Sequence, residues 1–324
     1  MNTNQNNNNA SVSPLVGDLG GFIIGIGETI VDIIFKNNQP ISAKPGGSTF
    51  NTLISLGRLN VPCFFISEIG NDRLGENAKQ CLHENNIPTD YMYQFSDGKS
   101  PVALAFLDEN NNADYVFYKD YPKQRLNIEF PSVSPNDILI FGSYFSVNPV
   151  LRNRILELLH SAKNNDAIIY YDPNYRKSHL PELPDLKDSI EENFAFADII
   201  RGSDEDFLNI YGENDIDTIY AKISRFCTNF ICTKAEKRVF LYTKNFTKTY
   251  STPTIKTIST VGAGDSFNAG ILYGLKKLNI SKQELPDLPE EKWDKLIEYA
   301  ILFATDVCQS YENYISEKLV NELK

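Results

Sequence analysis

The part of the sequence best suited to do chemistry is the run Gly262-Ala263-Gly264-Asp265. Apolar residues follow it at helical spacing, so Asp265 is predicted to lie in the first turn of a helix. Glycines permit close approach by a ligand, and the free N–H groups at a helix start favour an anion. The run therefore predicts a phosphoryl-transfer site, with Asp265 as catalytic base and the three residues before it as an anion hole. An aspartate that only caps a helix would give the same short motif.

Buried strands and helices alternate along most of the chain, and they must position this loop. Strands are predicted at residues 22–27, 62–67, 137–141, 167–171, 199–201 and 230–233. Helices are predicted at residues 48–59, 77–85, 150–159, 188–195, 215–226, 265–278 and 290–311. Strands that alternate with helices form a parallel sheet through right-handed crossovers. The pattern therefore predicts an α/β fold built on a mostly parallel sheet.

One stretch departs from this alternation. Residues 102–107 and 115–118 read as the two strands of a hairpin, with polar turn residues at 108–112. Residues 29–35 alternate in polarity and could add a further strand. Because hairpins are unusual between the parallel strands of such a fold, we expect a small separate sheet here. A second hairpin, residues 239–242 and 248–250, is predicted at the edge of the main sheet.

Composition limits the kinds of partner. The chain has 324 residues, of which 42% are apolar and 23% charged, as in ordinary globular proteins. Its formal charge of −11 argues against nucleic acid as a partner, although local amides and Mg²⁺ could still attract ATP. The five cysteines are scattered without a metal or redox spacing, which indicates buried thiols in a reducing compartment.

No targeting signal is evident in the sequence. No run reaches the roughly 18 apolar residues of a membrane span. The first residues, MNTNQNNNNA, lack the basic and apolar regions of a signal peptide. Residues 1–20 are Asn-rich and are predicted to be a disordered tail before a folded domain of residues 21–324. A cytoplasmic location without membrane contact follows by elimination.

Taken together, the motifs resemble those of one enzyme family. The chain is similar to ribokinase-like (PfkB) carbohydrate kinases in the order and approximate spacing of three motifs, Gly46-Gly47-Ser48-x-x-Asn51, Asp172-Pro173-Asn174-x-Arg176 and Gly262-Ala263-Gly264-Asp265. A further match, Gly25-x-Gly27-Glu28 followed by Asp32, resembles the fructokinase branch.

The resemblance implies a fold and an activity. The fold is a three-layer α/β/α ribokinase-like fold with a mostly parallel central sheet and a small β-sheet lid, its strands drawn from about residues 29–36 and 91–120. The activity is transfer of the ATP γ-phosphate to a sugar hydroxyl, with Mg²⁺ bridging the phosphates. Fructose is the first choice of substrate, and ribose, 2-keto-3-deoxygluconate or a nucleoside such as adenosine are alternatives. A non-catalytic sensor of sugar or nucleotide is a further alternative, and a homodimer formed through the lid is plausible.

By resemblance, the sugar would be bound by Asp32, Gly46, Gly47, Asn51 and Lys119. Asp32 is a lone carboxylate in an apolar strand, and Asn51 is a polar residue near a helix start beside two glycines. A solvent-facing strand position and a simple helix cap are the respective alternatives. Lys119 stands where fructokinase lids commonly carry an arginine, so it would act as a point charge without the arginine fork.

The same resemblance assigns residues to the nucleotide. Asn174, Arg176, Ser203 and Thr233 would contact ATP, since they follow or end buried strands where open sheets bind ligands. Arg176 could instead form a surface salt bridge. Asp206 would hold Mg²⁺ through a water, because its arm is shorter than the family's usual glutamate. Alternatively, Asp206 is only an acidic residue in the first turn of a helix.

Two departures from the family pattern bear on the nucleotide and on activation. Glycines that commonly follow Thr233 are replaced here by Ala235 and Arg238, so the detailed nucleotide contacts differ. Ser259 stands where the family often has an aspartate that helps to bind K⁺, which leaves activation by a monovalent cation open.

Overall fold

The computed structural model describes residues 20–109, 113–234 and 238–324. The predicted disordered tail lies outside this range except for Gly20, and Ala235 lies outside it too. All five cysteines are described as free thiols, and three of them are buried. Within the described ranges, none of the helices has the length and apolar character needed to cross a bilayer.

A nine-stranded sheet forms the centre of the molecule. From one edge to the other its strands are β13 (Thr247–Ser251), β12 (Arg238–Tyr242), β11 (Phe230–Lys234), β10 (Ile199–Ser203), β9 (Ile168–Asp172), β8 (Ile138–Gly142), β1 (Ile23–Ile26), β4 (Cys63–Gly70) and β5 (Met92–Phe95). All neighbours from β11 to β5 pair in parallel. Strand β12 pairs antiparallel with both β11 and β13, and β12 and β13 form the hairpin predicted at the sheet edge.

Helices cover both faces of this sheet. One layer contains α1 (Ser48–Arg58), α2 (Arg73–Glu84), α8 (Ala263–Lys277), α9 (Glu290–Val307) and α10 (Glu317–Leu323). The other contains α3 (Ser143–Val147), α4 (Arg152–Asn164), α5 (Leu183–Phe196), α6 (Asp204–Tyr211) and α7 (Ile216–Ile223). Successive strand residues point to opposite layers, so Tyr170 packs in the first core and Tyr171 in the second. The three-layer α/β/α fold is thereby confirmed.

A second, four-stranded sheet stands beside the first. Its order is β3 (Gln39–Gly46), β2 (Ile30–Lys36), β6 (Lys99–Leu107) and β7 (Ala113–Asp120), and we call it the lid sheet. The small sheet was predicted, but two details of its composition were wrong. Strand β5 falls within the range 91–120 assigned to the lid, yet it pairs with β4 in the large sheet. Strand β3, which completes the lid sheet, was not predicted, because its prolines and polar residues hide the strand pattern.

The closest approach of α8 and α9 yields a test of the packing. A Cβ added at Gly270 would lie 2.4 Å from the Cα of Ala300. Helix propensity alone favours alanine over glycine by about 1 kcal/mol, whereas overpacking costs about 1–3 kcal/mol. Because the neighbouring atom is backbone and cannot rotate away, we expect Gly270→Ala to lower the free energy of unfolding in urea. Gly20→Ala is the control, since a Cβ there meets nothing nearer than 3.7 Å. A stabilised Gly270→Ala variant would contradict this packing.

Candidate active site

The predicted anion loop opens α8. Gly262 adopts a left-handed conformation, with φ of 80°, and a Cβ on it would lie 2.4 Å from the carbonyl oxygen of Asn313, so only glycine fits. The Ala263 N–H, predicted to be free, donates to the Thr260 carbonyl at 3.2 Å. In the described chain, the N–H groups of Gly264 and Asp265 have no partner outside the helix, and first-turn N–H groups have none inside it. The anion hole therefore has two free N–H donors, those of Gly264 and Asp265, and the N–H of Ala263 does not contribute.

Two side chains of α1 hold the Asp265 carboxylate. Ser48 Oγ donates to Asp265 Oδ1 at 2.7 Å, and Asn51 Nδ2 donates to Asp265 Oδ2 at 2.9 Å. Helix α1 can reach this position because Gly47 precedes it with φ of 127°, and a Cβ on Gly47 would lie 2.1 Å from the Glu28 carbonyl oxygen. The N-terminal turns of α1 and α8 therefore meet at a single carboxylate.

Asp32 reaches the same place from lid strand β2. A Cβ added at Gly46 would lie 2.8 Å from Asp32 Oδ2 and 3.6 Å from Asn51 Oδ1, so glycine leaves just enough space between the two side chains. Asn51 Oδ1 is buried and has no hydrogen-bond partner among the residues that the structure describes. An unpaired buried acceptor costs about 1–3 kcal/mol, which a hydroxyl-bearing ligand would recover. The predicted residues Asp32, Gly46, Gly47, Asn51 and Asp265 are thus brought together.

Burial shifts the protonation of both carboxyl groups. It raises the pKa of Asp265 to about 6, against hydrogen bonds from Asn51 and Ser48 that favour the charged form. It raises the pKa of Asp32 to about 7, and the negative charges of Asp265 and Glu28 add to this rise. Both side chains keep partial exposure. Near neutral pH, Asp265 is therefore mostly ionised, while Asp32 carries a proton about half of the time.

The other half of the site lies at the carboxyl ends of β9, β10 and β11. Asp172 Oδ2 accepts hydrogen bonds from the Arg201 guanidinium at 3.0 Å and from Asn268 Nδ2 at 2.6 Å. Arg201 also donates to Thr233 Oγ1 at 2.9 Å. Thr233, predicted to contact the nucleotide, is therefore tied to Arg201. The charge of Asp172 is close enough to Asp265 to raise its pKa further, so the two halves form one electrostatic unit.

Asn174 and Arg176 lie at the rim of this half. Asn174 has a positive φ of 39°, and its Nδ2 donates to Ser143 Oγ at 3.0 Å. Arg176 is exposed, and among the described residues it forms no ion pair within 4 Å. Burial raises the pKa of Asp265 and of Asp206, and the positive charge of Arg176 offsets part of that rise. The side chain is thus near the carboxylates without being held by them.

Ser203 and Asp206 form a helix cap. Ser203 Oγ accepts from the Asp206 N–H at 3.2 Å, and Asp206 Oδ2 accepts from the Ser203 N–H at 2.7 Å, a reciprocal capping box. Asp206 thus lies in the first turn of α6, as in the alternative in which it is only an acidic residue at a helix start. Burial, followed by the charge of Asp172, raises the pKa of Asp206, which means that the two carboxylates are near each other.

These two carboxylates also decide whether Mg²⁺ fits. Within the described chain, no cluster of three or more acidic, His or Cys side chains could hold a metal by itself. Mg²⁺ in phosphate sites needs only one or two carboxylates, because waters and phosphate oxygens supply the remaining ligands. Asp206 with Asp172 meets that requirement, and the repulsion between them favours a cation nearby.

Lys119 was predicted to bind the sugar from its position in the lid, but its ammonium group is already paired within the protein. Its Nζ is 2.8 Å from Glu28 Oε1, in an ion pair whose side chains are 26% and 22% exposed. Tyr115 lies four residues earlier on the same face of β7. Burial raises the pKa of Tyr115, and the nearby charges of Asp32 and Asp265 raise it further. The lid residue that faces the carboxylates is therefore Tyr115, which was not predicted.

Other site residues were also missed. Ser48 belongs to a predicted motif, but its bond to Asp265 joins residues far apart in sequence. Arg201 and Asn268 sit in a strand and a helix that read simply as core. Asp172 was quoted only as part of the motif around Asn174. A charged residue inside an otherwise apolar strand, such as Arg201, is the one signal that would have found them.

The carboxylate contacts predict a titration shift. Ser48→Ala removes a hydrogen bond that favours the ionised form, so the pKa of Asp265 should rise above its value of about 6. Thr52→Val is the matched control, because Thr52 Oγ1 donates to the Asp265 main-chain oxygen instead of the carboxylate. Carbon-13 NMR titration of the aspartate carboxyl groups measures both. An unchanged midpoint in Ser48→Ala would contradict the contact.

Comparison with known proteins places this site in a family. Residues 22–318 match the pfkB family of carbohydrate kinases. A fructokinase from Rhizobium leguminosarum bv. trifolii is 30% identical over 280 residues, which cover 83% of this chain and 84% of that protein. The fructokinase from Vibrio cholerae O395, solved with fructose, ADP and calcium ion, superposes with a TM-score of 0.82 at 20% identity, covering 94% of this chain and 99% of that one.

A second solved structure has a different acceptor. The aminoimidazole riboside kinase from Salmonella enterica, solved with its riboside and an ATP analogue, superposes with a TM-score of 0.80 at 18% identity, covering 93% of this chain and 99% of that one. The family match spans both halves of the site and the lid sheet. The chain belongs to the pfkB family of carbohydrate kinases, which are ATP-dependent phosphotransferases.

Proposed function

We propose that this protein transfers the γ-phosphoryl group of ATP to a hydroxyl of fructose, with Asp265 as the catalytic base. The observation that carries the proposal is the junction at Asp265: a carboxylate at a helix N-terminus, oriented by Ser48 and Asn51, beside a buried Asn51 Oδ1 without a partner. The similarity to fructokinases supports the choice of sugar.

In this proposal, the residues at the start of α8 have two roles. The attacking hydroxyl donates its hydrogen bond to the Asp265 carboxylate, which accepts the proton as the new phosphorus–oxygen bond forms. With a pKa of about 6, Asp265 is mostly ionised at neutral pH and remains basic enough to accept that proton. The N–H groups of Gly264 and Asp265 stabilise the charge on the transferring group, together with the positive end of the helix dipole.

The sugar is held between α1 and the lid sheet. Asn51 Oδ1 accepts from one sugar hydroxyl, and Asp32 binds another, as donor when protonated and as acceptor when ionised. Gly46 and Gly47 leave room for a ring against the backbone, because any side chain at Gly46 would meet Asp32. Lys119 contributes by holding Glu28 at the base of the lid, rather than by touching the sugar.

The phosphates of ATP lie along the strand ends of the other half. Asn174, Arg176, Ser203 and Thr233 line the path that the nucleotide would take, and Arg176 is free to approach phosphate oxygens. Asp206, with Asp172 beside it, would hold Mg²⁺ through water. When bound, the ion offsets negative charge on the phosphates.

A second acceptor class is favoured by one observation on the lid. Tyr115 and Phe117 stack with their ring centroids 5.9 Å apart, and both lie on the face that carries Asp32. Aromatic side chains of this kind also stack on nucleobases. A nucleoside is therefore the alternative substrate, in line with the fold shared with aminoimidazole riboside kinase.

A panel of acceptors tests the proposed reaction. We expect ATP consumption with fructose to exceed that with ribose, 2-keto-3-deoxygluconate and adenosine, each at the same concentration with Mg²⁺. Asp265→Asn should lower kcat with fructose by about 10²–10⁴-fold, the range for loss of a general base. Asp188→Asn, on the exposed surface of α5, is the matched control and should leave kcat unchanged.

Each result has a clear reading. Preference for adenosine would replace fructose by a nucleoside and leave Asp265 in its role. Near-wild-type turnover by Asp265→Asn would remove Asp265 from that role. A protein that phosphorylates no member of the panel would contradict the proposed reaction.

We also propose that two copies pair through the outer face of the lid sheet. Strand alternation places apolar side chains on the face turned away from Asp32, and Val116 and Tyr118 are 42% and 60% exposed there. An apolar sheet face of this kind is typical of a protein interface. Light scattering should give a molar mass near twice 36.6 kDa, and V116K/Y118K should return it to that of one chain. A wild-type monomer would contradict the pairing.

A further inference from the structure

We propose that Arg201 positions the start of α8 and supplies positive charge beside it. As a result, the protein binds ATP, which carries a γ-phosphoryl group, more tightly than ADP, which lacks one. The inference deepens the proposed function and rests on its placement of the γ-phosphoryl group at the start of α8. It concerns the nucleotide alone and does not depend on which sugar is the acceptor.

The guanidinium of Arg201 lies directly beside the anion loop. A Cβ added at Gly264 would be 3.0 Å from Arg201 Nη1 and 3.4 Å from Nη2, so the group packs against the bare Cα of that glycine. The N–H of Gly264 is one of the two free donors of the loop. The positive charge therefore lies within a few ångströms of the loop, close enough to attract an anion bound by its N–H groups.

The same guanidinium ties three elements together. Arg201 leaves from β10, binds Asp172 at the end of β9 through Nη1, and binds Thr233 at the end of β11 through Nη2. It also lies over the Phe267 ring of α8, at 5.2 Å from the centroid. A planar fork can make these contacts at once, whereas a lysine could supply only a point charge. Arg201 thus fixes the ends of the strands relative to the start of α8.

Stability alone does not account for this arrangement. Arg201 is 6% exposed, and its Nε is buried and lacks a hydrogen-bond partner within the described ranges of the chain. Removing a cation from water costs several kcal/mol, and a pairing with one carboxylate often only breaks even. An apolar side chain would fill the same space at no such cost. An unpaired donor on a buried cation therefore points to a role with a negatively charged ligand.

The carboxylates near the start of α8 explain why a cation is needed there. Burial raises the pKa of Asp206 and of Asp265, and the charge of Asp172 adds to both rises, so the three carboxylates lie near one another. Without compensation they would repel ATP. In the part of the chain that the structure describes, the cations among them are Arg176, which is exposed at the rim, and Arg201, which is buried beside the loop.

Nucleotide affinity tests the inference. Calorimetry compares the affinity for the β,γ-imido analogue of ATP with that for ADP, in the same Mg²⁺ buffer and without sugar. R201Q keeps a side chain that can bind Asp172 but removes the charge, and it should lower the analogue affinity by at least about tenfold relative to ADP. R201K keeps the charge and should stay within about threefold of the wild-type ratio. Tyr170→Phe is the structural control, because it removes only the buried bond from Tyr170 Oη to Asn268.

The outcomes separate a charge effect from a loss of packing. If R201Q weakens both nucleotides equally, or if Tyr170→Phe changes the ratio as much as R201Q does, Arg201 is only structural. If R201Q does not fold, the wild-type protein decides by nitrogen-15 NMR. The Arg201 Nε–H resonance should move on binding the ATP analogue and not on binding ADP, and equal movement with both would overturn the inference. Failure of sugar phosphorylation would leave these results intact, so the two proposals fail separately.

Discussion

The site depends on the contact between the start of α1 and the start of α8. There, Ser48 and Asn51 donate hydrogen bonds to the Asp265 carboxylate. Two helix N-termini repel a cation and attract an anion, so a shared carboxylate stabilises their approach. The glycines on either side are required by the same closeness, since Gly47 and Gly262 each leave no space for a Cβ. The position of Asp265 is therefore fixed by the packing of the whole first helical layer.

Charge balance is the second constraint, and it follows from the first. Burial raises the pKa of both Asp265 and Asp32; the charge of Asp172 adds to the rise at Asp265, and the charge of Asp265 adds to the rise at Asp32. A chain of net charge −11 must nevertheless admit ATP. In our account, Arg201 beneath the loop and Arg176 at the rim offset the carboxylates. The acidic groups serve proton transfer and binding of the sugar, and the arginines serve the phosphates.

The sequence predicted the fold well because strand and helix periodicity are local properties. Runs such as residues 22–27 and 167–171 are apolar throughout, and only parallel strands covered on both faces read in this way. Partners across the fold could not be predicted in the same way. Ser48 and Asp265 are 217 residues apart, and Lys119 was expected to meet a sugar because nothing local shows that Glu28 reaches it first. Ser203 and Asp206 have the spacing of a capping box in the sequence, but only the structure shows that they form one where β10 turns into α6.

The most direct measurement of the central claim is a crystal structure with fructose and the β,γ-imido analogue of ATP. The account predicts a sugar hydroxyl within about 2.6–3.2 Å of an Asp265 carboxylate oxygen, on the side of the γ-phosphorus, with a second hydroxyl donating to Asn51 Oδ1. A sugar bound away from α1, with the Asp265 carboxylate still bonded only to Ser48 and Asn51, would contradict it.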